Sequence, residues 1–200
     1  MKKENISFYS QDATHRLIML HGWGADANDL IPLGEKIIKT ISLKMELLSL
    51  NAPELHPQGF GRQWYGLFPS DWSAVPNAIE KLSNRLQEIE THTIPLNRTF
   101  LLGFSQGGAM ALATGCDLPF AGLICCSAYP HPGWSPPSVS PPILLAHGDQ
   151  DNIVPLDAFT RISNLLKINR LTFQSELFNG SHEIPDNITY KICNFIEKYI

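Results

Sequence analysis

Residues 98–108 read RTFLLGFSQGG, an apolar run that ends in a serine held between glycines. The run before Ser105 is β-prone, and the small residues GAMALA at 108–113 favour a helix. This order predicts a sharp strand-to-helix turn, which strains the backbone at the serine and requires glycines beside it so that strand and helix lie close together. The G-x-S-x-G pattern is therefore a candidate nucleophile elbow; the alternative is an ordinary Gly-Ser turn.

The composition is that of a globular protein. With 200 residues, 44% of them hydrophobic, the chain is long enough for one well-buried domain, 1–200, and short for two. Lys and Arg number 15 against 19 Asp and Glu, and no basic run occurs. This charge pattern gives no sign of nucleic acid or an anionic membrane as a partner, so we expect a small neutral substrate.

The start of the chain, MKKENISFYS at 1–10, carries two lysines with no apolar segment behind them. No stretch approaches the roughly 20 apolar residues of a membrane span. We therefore expect a cytoplasmic protein that is not stably inserted in a membrane.

The cysteines show no C-x-x-C spacing, which predicts buried, reduced thiols. They are Cys116, Cys125, Cys126 and Cys193.

Apolar runs and helical periods alternate along the chain. Most runs are continuous, as in strands covered on both faces of a parallel sheet. Between them, apolar residues recur at three- or four-residue spacing, as at 79–89 and 159–166. This alternation predicts an α/β fold, a mostly parallel doubly wound sheet with helices on both faces. The predicted strands are 15–20, 45–50, 98–103, 122–127, 142–147 and 171–178.

Two segments interrupt the alternation. Residues 51–76 are rich in aromatic residues, proline and glycine, and residues 127–142 are rich in proline. We expect both to be long loops above the sheet, at the carboxyl ends of the strands, where such folds bind their ligands.

A serine hydroxyl is a weak nucleophile, so acyl transfer requires a histidine to take its proton and a carboxylate to orient that histidine. Three histidines follow Ser105 in the chain: His131 in the proline-rich loop, His147 at a strand end, and His182 in FNGSHEIP after the last predicted strand. Only His182 combines a loop after a strand with a carboxylate after an earlier strand. We therefore expect His182 to be the base, with a surface loop histidine as the alternative.

The carboxylate candidates are Asp149 and Asp151, in AHGDQDNIVP after the strand at 142–147. Asp151 is favoured because it stands in H-G-x-x-D-x-x-V-P, where the proline would begin the next helix. Asp149 is expected to make a turn or to accept backbone amides, as aspartate commonly does in loops.

The oxyanion of an acyl-transfer intermediate requires backbone N–H donors. Gln106 directly follows the serine at the start of the predicted helix and is expected to supply one. The second is expected from HGWG at 21–24, where the glycines let the backbone turn so that the amide of Trp23 faces the site. Taken alone, HGWG favours a simple turn, and the oxyanion role is expected only because the triad residues are also present.

These blocks, in this order, resemble the phospholipase/carboxylesterase family of α/β-hydrolases, whose members include acyl-protein thioesterases and small bacterial carboxylesterases. The resemblance runs from about residue 18 to 184. It implies Ser105, Asp151 and His182 as a catalytic triad and the amides of Trp23 and Gln106 as the oxyanion hole, acting on a small-molecule ester without a metal or other cofactor. The blocks are LHGWGAD (20–26), NAPELHPQGFGRQWYGL (51–67), LLGFSQGGAMAL (101–112), GLICCSAYPH (122–131), LLAHGDQDNIVP (144–155) and NGSHEI (179–184).

Two positions depart from the family pattern. Trp23 stands where the family usually has leucine, and Gly66 stands where an acidic residue is usual. An indole beside the oxyanion hole would fill volume, so we expect a preference for short to medium acyl chains. Aromatic residues of the 51–76 loop are further candidates for the pocket wall, with ordinary loop anchoring as the alternative. They are Phe60, Trp64 and Tyr65.

Other functions remain to be weighed against ester hydrolysis. An acyltransferase would use the same residues and pass the acyl group to an alcohol or thiol, because the acceptor depends on how dry the pocket is. A non-catalytic binding protein of the same fold would normally lack a triad member, and all three are present. A metal enzyme is disfavoured, since no histidine or cysteine cluster has ligand spacing.

Overall fold

The computed structural model describes residues 6–8, 12–91 and 93–200. Its strands and helices are numbered in chain order. The strands are β1 (Ile6–Phe8), β2 (His15–Leu20), β3 (Met45–Leu50), β4 (Glu54–Leu55), β5 (Arg62–Gln63), β6 (Thr99–Phe104), β7 (Gly122–Cys126), β8 (Ile143–Gly148) and β9 (Phe173–Phe178). The α-helices are α1 (Ile31–Thr40), α2 (Val75–Ile89), α3 (Gln106–Gly115), α4 (Leu156–Ile168) and α5 (Asp186–Lys198).

Seven strands form the central sheet in the order β1-β3-β2-β6-β7-β8-β9. Strand β1 pairs antiparallel with β3, and every other neighbouring pair is parallel. The remaining strands, β4 and β5, form a separate antiparallel hairpin. The predicted fold, a mostly parallel doubly wound α/β sheet, is confirmed.

The two faces of the sheet are covered by different helices. Alternate residues of β2 point to opposite faces, so that Ile18 belongs to the core that also contains residues of α2, α3 and α4, whereas Leu17 belongs to the core that contains residues of α1 and α5. Burial on both faces explains why the strands read as continuous apolar runs. The helical periods predicted at 79–89 and 159–166 lie in α2 and α4, where Leu82, Leu86 and Ile162 are buried.

The predicted strand bounds hold for 15–20 and 45–50, and the other four differ by one or two residues at an end. The short strands β1, β4 and β5 were not predicted, because two or three residues are too few to show a period. The 51–76 loop therefore contains a hairpin and a 3-10 turn at Trp72–Ala74, whereas 127–142 has neither helix nor strand. The four cysteines are free and buried.

Strands β6, β8 and β9 end at the same edge of the sheet, with β7 between β6 and β8. The loops that follow them carry Ser105, Asp151 and His182. Parallel strands thus deliver the three predicted residues to one edge, where doubly wound folds bind ligands. In the described part of the chain, no helix has both the length and the apolar character needed to cross a membrane.

Candidate active site

Ser105 occupies a strained turn between β6 and α3. Its backbone angles, φ 55° and ψ −119°, lie in a region that residues with a side chain rarely adopt. Its N–H donates to the carbonyl of Cys126 on β7 (2.9 Å), which holds the turn against the sheet. A Cβ at Gly107 would lie 2.1 Å from the Leu20 carbonyl oxygen, so only glycine lets α3 pass so close to β2. This is the elbow geometry that G-x-S-x-G predicts.

Asp151 and His182 are joined by a hydrogen bond of 2.7 Å, in which Nδ1–H of the imidazole donates to Oδ2. The other carboxylate oxygen accepts the amides of Ile153 (2.9 Å) and Val154 (2.8 Å). Burial by itself would raise the pKa of Asp151, but the hydrogen bonds from His182 and the two amides outweigh it and hold the pKa below its usual value. The carboxylate is therefore ionised at neutral pH.

His182 is oriented by two contacts. Its Nδ1 is committed to Asp151, and its ring packs on the ring of Phe104 with centroids 4.7 Å apart. With the proton on Nδ1, the Nε2 lone pair is available as a base. Within the described residues neither Nε2 nor Ser105 Oγ has a hydrogen-bond partner, and such contacts are commonly long until a substrate binds.

The neighbouring Asp149 and His147 form hydrogen bonds with backbone groups. Asp149 is exposed, and its Oδ1 accepts the amide of Gly180 (3.3 Å), the backbone capping expected for it. His147 is buried and donates through Nε2 to the carbonyl of Val154 (2.8 Å), so it braces the loop that carries Asp151.

The loop after β2 lies against the elbow. A Cβ at Gly22 would be 3.4 Å from the Cβ of Ser105, which is ordinary contact distance. Nδ1–H of His21 donates to the Gly22 carbonyl (2.7 Å), and its Nε2 accepts the amide of Ala52 (3.1 Å). Burial lowers the pKa of His21, which favours this neutral form. The histidine thereby fixes the start of the loop.

Two backbone amides near Ser105 have no internal acceptor. Among the residues that the structure describes, neither Trp23 nor Gln106 donates its N–H to a protein group. Gln106 is the first residue of α3, where the helix leaves its N–H groups unpaired and the dipole favours negative charge. These are the amides that the sequence assigns to an oxyanion hole, and their role stays a prediction.

The side chain of Gln106 has a structural role that sequence reasoning missed. It is fully buried, and its amide group accepts the Trp64 N–H (3.1 Å) and donates to the Tyr65 carbonyl (2.8 Å). The side-chain amide thus bonds to the backbone of the 51–76 loop as a neighbouring peptide group would, and it holds that loop against the elbow. The glutamine beside the serine gave no signal of it, because its partners lie about 40 positions away.

The aromatic pocket candidates occupy different environments. Trp64 and Tyr65 are almost completely buried in the core between the sheet and α2, whereas Phe60 is 65% exposed. Trp23 is partly buried, and its ring contacts the ring of Phe68 with centroids 5.0 Å apart. Trp64 and Tyr65 thus anchor the loop, and a part for any of these residues in acyl binding stays a prediction.

Tyr65 also heads a buried polar cluster that the sequence did not indicate. Its hydroxyl is joined to the hydroxyl of Tyr129 (2.6 Å) and to Nε2 of His131 (2.9 Å). Burial lowers the pKa of His131 to about 4 and raises that of Tyr129 to about 12. The cluster is uncharged at neutral pH, and it links the 51–76 loop to the 127–142 loop.

The described ranges contain no group of three or more His, Cys, Asp or Glu side chains arranged to hold a metal ion. The arrangement at the sheet edge is instead a serine on an elbow, a histidine hydrogen-bonded to a carboxylate, and unpaired amides. These are the groups required for nucleophilic acyl transfer.

Known proteins resemble this chain over most of its length. The sequence is 27% identical over 216 residues to acyl-protein thioesterase 1 of Yarrowia lipolytica, with 94% of this chain and 92% of the relative covered. It is 30% identical over 171 residues to acyl-protein thioesterase 1 of Saccharomyces cerevisiae, with 73% and 74% covered.

Solved structures agree with these sequence relatives. The crystal structure of esterase PE8 superposes with a TM-score of 0.85 at 25% identity and covers 98% of both chains. The Bacillus cereus carboxylesterase gives a TM-score of 0.83 at 17% identity, with 98% of this chain and 94% of that chain covered, a likeness of fold. The model of the phospholipase/carboxylesterase family matches residues 1–200. The chain therefore belongs to the phospholipase/carboxylesterase family of α/β-hydrolase enzymes.

Proposed function

We propose that the protein is a serine hydrolase that cleaves carboxylic esters or thioesters through an acyl-serine at Ser105. The observation that carries the proposal is the 2.7 Å hydrogen bond between His182 and the buried carboxylate of Asp151, at the sheet edge that also holds the strained serine. The family supports ester cleavage as the reaction. The residues and the intermediate are our assignment.

In the first half of the reaction, Oγ of Ser105 attacks the carbonyl carbon while Nε2 of His182 takes the hydroxyl proton. Asp151 holds the imidazole in the tautomer with Nδ1 protonated and stabilises the imidazolium that forms. The bond to the leaving alcohol or thiol then breaks, and the imidazolium gives that group its proton. The product is the first alcohol or thiol and an acyl ester on Ser105.

The negative charge of the tetrahedral intermediate falls on the former carbonyl oxygen. We assign its stabilisation to the amides of Trp23 and Gln106, because neither has an acceptor among the described residues. Gln106 directly follows Ser105, and Gly22, next to Trp23, lies against it. One such donor is typically worth about 10²- to 10³-fold in kcat.

The second half repeats the chemistry with water. His182 takes a proton from the water as its oxygen attacks the acyl carbon, and the bond from that carbon to Ser105 Oγ breaks as the serine recovers its proton. The free acid leaves and the enzyme is restored. No step of this proposed reaction uses a metal or another cofactor.

We propose short to medium acyl chains as the preferred substrates. The indole of Trp23 is held by a hydrogen bond from its Nε1–H to Oε1 of Gln63 (2.9 Å) and by ring contacts with His56 and Phe68. Held in this way, it keeps its volume beside the proposed oxyanion hole, where the family commonly has leucine.

We further propose a cytoplasmic location, which the four free, buried cysteines support.

Labelling with a fluorophosphonate probe, followed by sequencing of the modified peptide, tests the nucleophile. The expected result is a single adduct on Ser105, no adduct in Ser105→Ala, and a loss of ester turnover of roughly 10⁴-fold or more in both Ser105→Ala and His182→Ala. Turnover near that of the wild type in purified Ser105→Ala would disprove the assignment. A second assay lets water and an added alcohol compete for the acyl group. Formation of the free acid indicates hydrolysis, and formation of a new ester indicates acyl transfer.

A further inference from the structure

The β4–β5 hairpin lies directly against the loop that follows β2. The amide of Gly24 donates to the carbonyl of Arg62 (2.9 Å), and the amide of Arg62 donates to the carbonyl of Ala25 (2.7 Å). The two bonds place Gly24 and Ala25 opposite the single residue Arg62, as in a β-bulge. The backbone of residues 24–25 is therefore hydrogen-bonded directly to the hairpin.

The two amides that follow Trp23 in the loop are occupied. The amide of Gly24 is bonded to the hairpin, and that of Ala25 bonds to the carbonyl of Gly22 (3.3 Å). The N–H of Trp23 itself has no acceptor in the described part of the chain. Its direction is set by the peptide units on either side, one of which the hairpin holds.

The close approach depends on Gly61. Its φ is +67°, and a Cβ at this position would lie 1.9 Å from the carbonyl oxygen of Gly24 and 2.5 Å from the carbonyl carbon. Both contacts are with backbone, which has no rotamer to change. Any side chain at position 61 must therefore push the hairpin and the Gly24 peptide apart.

Side chains reinforce the backbone contact. Gln63 accepts the indole N–H of Trp23 (2.9 Å), and its own amide nitrogen donates to Glu54 across the hairpin (3.3 Å). The ring of His56 contacts the indole edge-on, with centroids 4.1 Å apart. The hairpin thus holds both the side chain of Trp23 and the backbone that follows it.

We propose that the β4–β5 hairpin positions the oxyanion loop, and that Gly61 sets the separation between them. The proposal rests on the proposed function, in which the Trp23 amide binds the oxyanion. An oxyanion donor acts mainly in the transition state, so its displacement lowers kcat with little change in KM. Removal of a donor costs about 10²- to 10³-fold, so we expect a displaced donor to cost roughly 10- to 100-fold.

The experiment compares Gly61→Ala with Gly59→Ala. Both glycines belong to the hairpin and have positive φ, but a Cβ at Gly59 meets nothing within 4 Å. Alanine therefore introduces similar backbone strain at both positions, and only Gly61→Ala displaces the loop. The expected result is kcat lowered roughly 10- to 100-fold in Gly61→Ala with KM within about twofold, and both constants near those of the wild type in Gly59→Ala.

A second readout reports the oxyanion itself. A trifluoromethyl ketone forms a tetrahedral oxyanion on the serine, whereas the corresponding amide binds without forming one. Gly61→Ala is expected to lose affinity for the ketone by the same factor as kcat and to keep its affinity for the amide. Equal losses for the ketone in both glycine variants, or an unchanged kcat in Gly61→Ala, would overturn the proposal.

If Gly61→Ala does not fold, Gln63→Met decides. Methionine keeps the volume of Gln63 and removes the acceptor for the Trp23 indole, and kcat is expected to fall several-fold with KM unchanged; an unchanged kcat would count against the hairpin. Fluorophosphonate labelling of Ser105 is measured in every variant. If the wild type is labelled at Ser105 and Gly61→Ala keeps the kcat of the wild type, only the role of the hairpin is refuted. If the wild type is not labelled at Ser105, the proposed function is refuted.

Discussion

Oδ2 of Asp151 lies 2.7 Å from Nδ1 of His182, although the two residues are 31 positions apart and follow different strands. The carboxylate side chain has no exposed surface, and its second oxygen accepts two backbone amides from its own loop. Its orientation is therefore fixed independently of the histidine. A buried, ionised carboxylate held in this way favours one tautomer and one ring orientation of its partner.

The substitution Asp151→Asn is expected to lower kcat roughly 10³- to 10⁴-fold, because an amide at this position no longer holds the imidazole in the productive tautomer. The matched control is Asp149→Asn, in which the remaining Oδ1 still accepts the amide of Gly180. We expect this variant to stay within about tenfold of the wild type. Steady-state kinetics on one ester measure both, and the opposite ranking would assign the carboxylate to Asp149.

Stability in acid is expected to depend on His131. Burial lowers its folded-state pKa to about 4, against about 6.5 in the unfolded chain, so unfolding takes up a proton between these values. The free energy of unfolding therefore falls as pH falls through this window, by about 3 kcal/mol from this histidine. Well above pH 6.5 the residue is neutral in both states and contributes no pH dependence.

The test is His131→Gln, which keeps a polar group near the Tyr65 hydroxyl but does not titrate. The free energy of unfolding is measured by urea denaturation at several pH values between 4 and 6.5. In the variant it is expected to change less with pH than in the wild type, by up to about 1.4 kcal/mol per pH unit. His21 also has a lowered pKa and contributes in the same direction in both proteins, so the difference between them isolates His131. Parallel curves would contradict the prediction.

The substitution Arg170→Gly is expected to stabilise the protein by roughly 0.5–1 kcal/mol. Arg170 follows α4 with φ 56°, and the amides of Arg170 and Leu171 bond back to Lys167 and Leu166, as in a helix end that favours glycine. Arg170→Ala is the control, because it removes the same side chain and keeps the strain. Urea denaturation should show a gain for glycine and none for alanine, with ester turnover unchanged in both.

Substrate length is expected to depend on Trp23. The wild type should prefer short to medium acyl chains, and Trp23→Leu should shift the preference towards longer ones, since each additional methylene in apolar contact is worth about 0.8 kcal/mol. A series of p-nitrophenyl esters from acetate to palmitate, run on both proteins, measures this shift. A wild type that prefers the longest chain, or identical profiles for the two proteins, would rule out the proposed role of the indole.

The sequence predicted those parts of the site that depend on neighbouring residues. The strained turn at Ser105 follows from the glycines beside it, and the capping role of Asp149 follows from its place in a short loop. The parallel sheet follows from continuous apolar runs, because strands buried on both faces leave no room for a polar alternation. Once the strand order is known, the loops with Asp151 and His182 must lie at one edge.

Contacts between distant segments were decided by the tertiary structure. Three hydrogen-bonded contacts join segments that lie far apart in the chain. Gln106 bonds to the 51–76 loop, Tyr65 bonds to His131, and the β4–β5 hairpin bonds to Gly24. The conformational preferences of a residue are set by its own side chain and its immediate neighbours, so sequence patterns report them directly. Which distant groups meet depends on how whole strands and helices pack, and no local pattern records that.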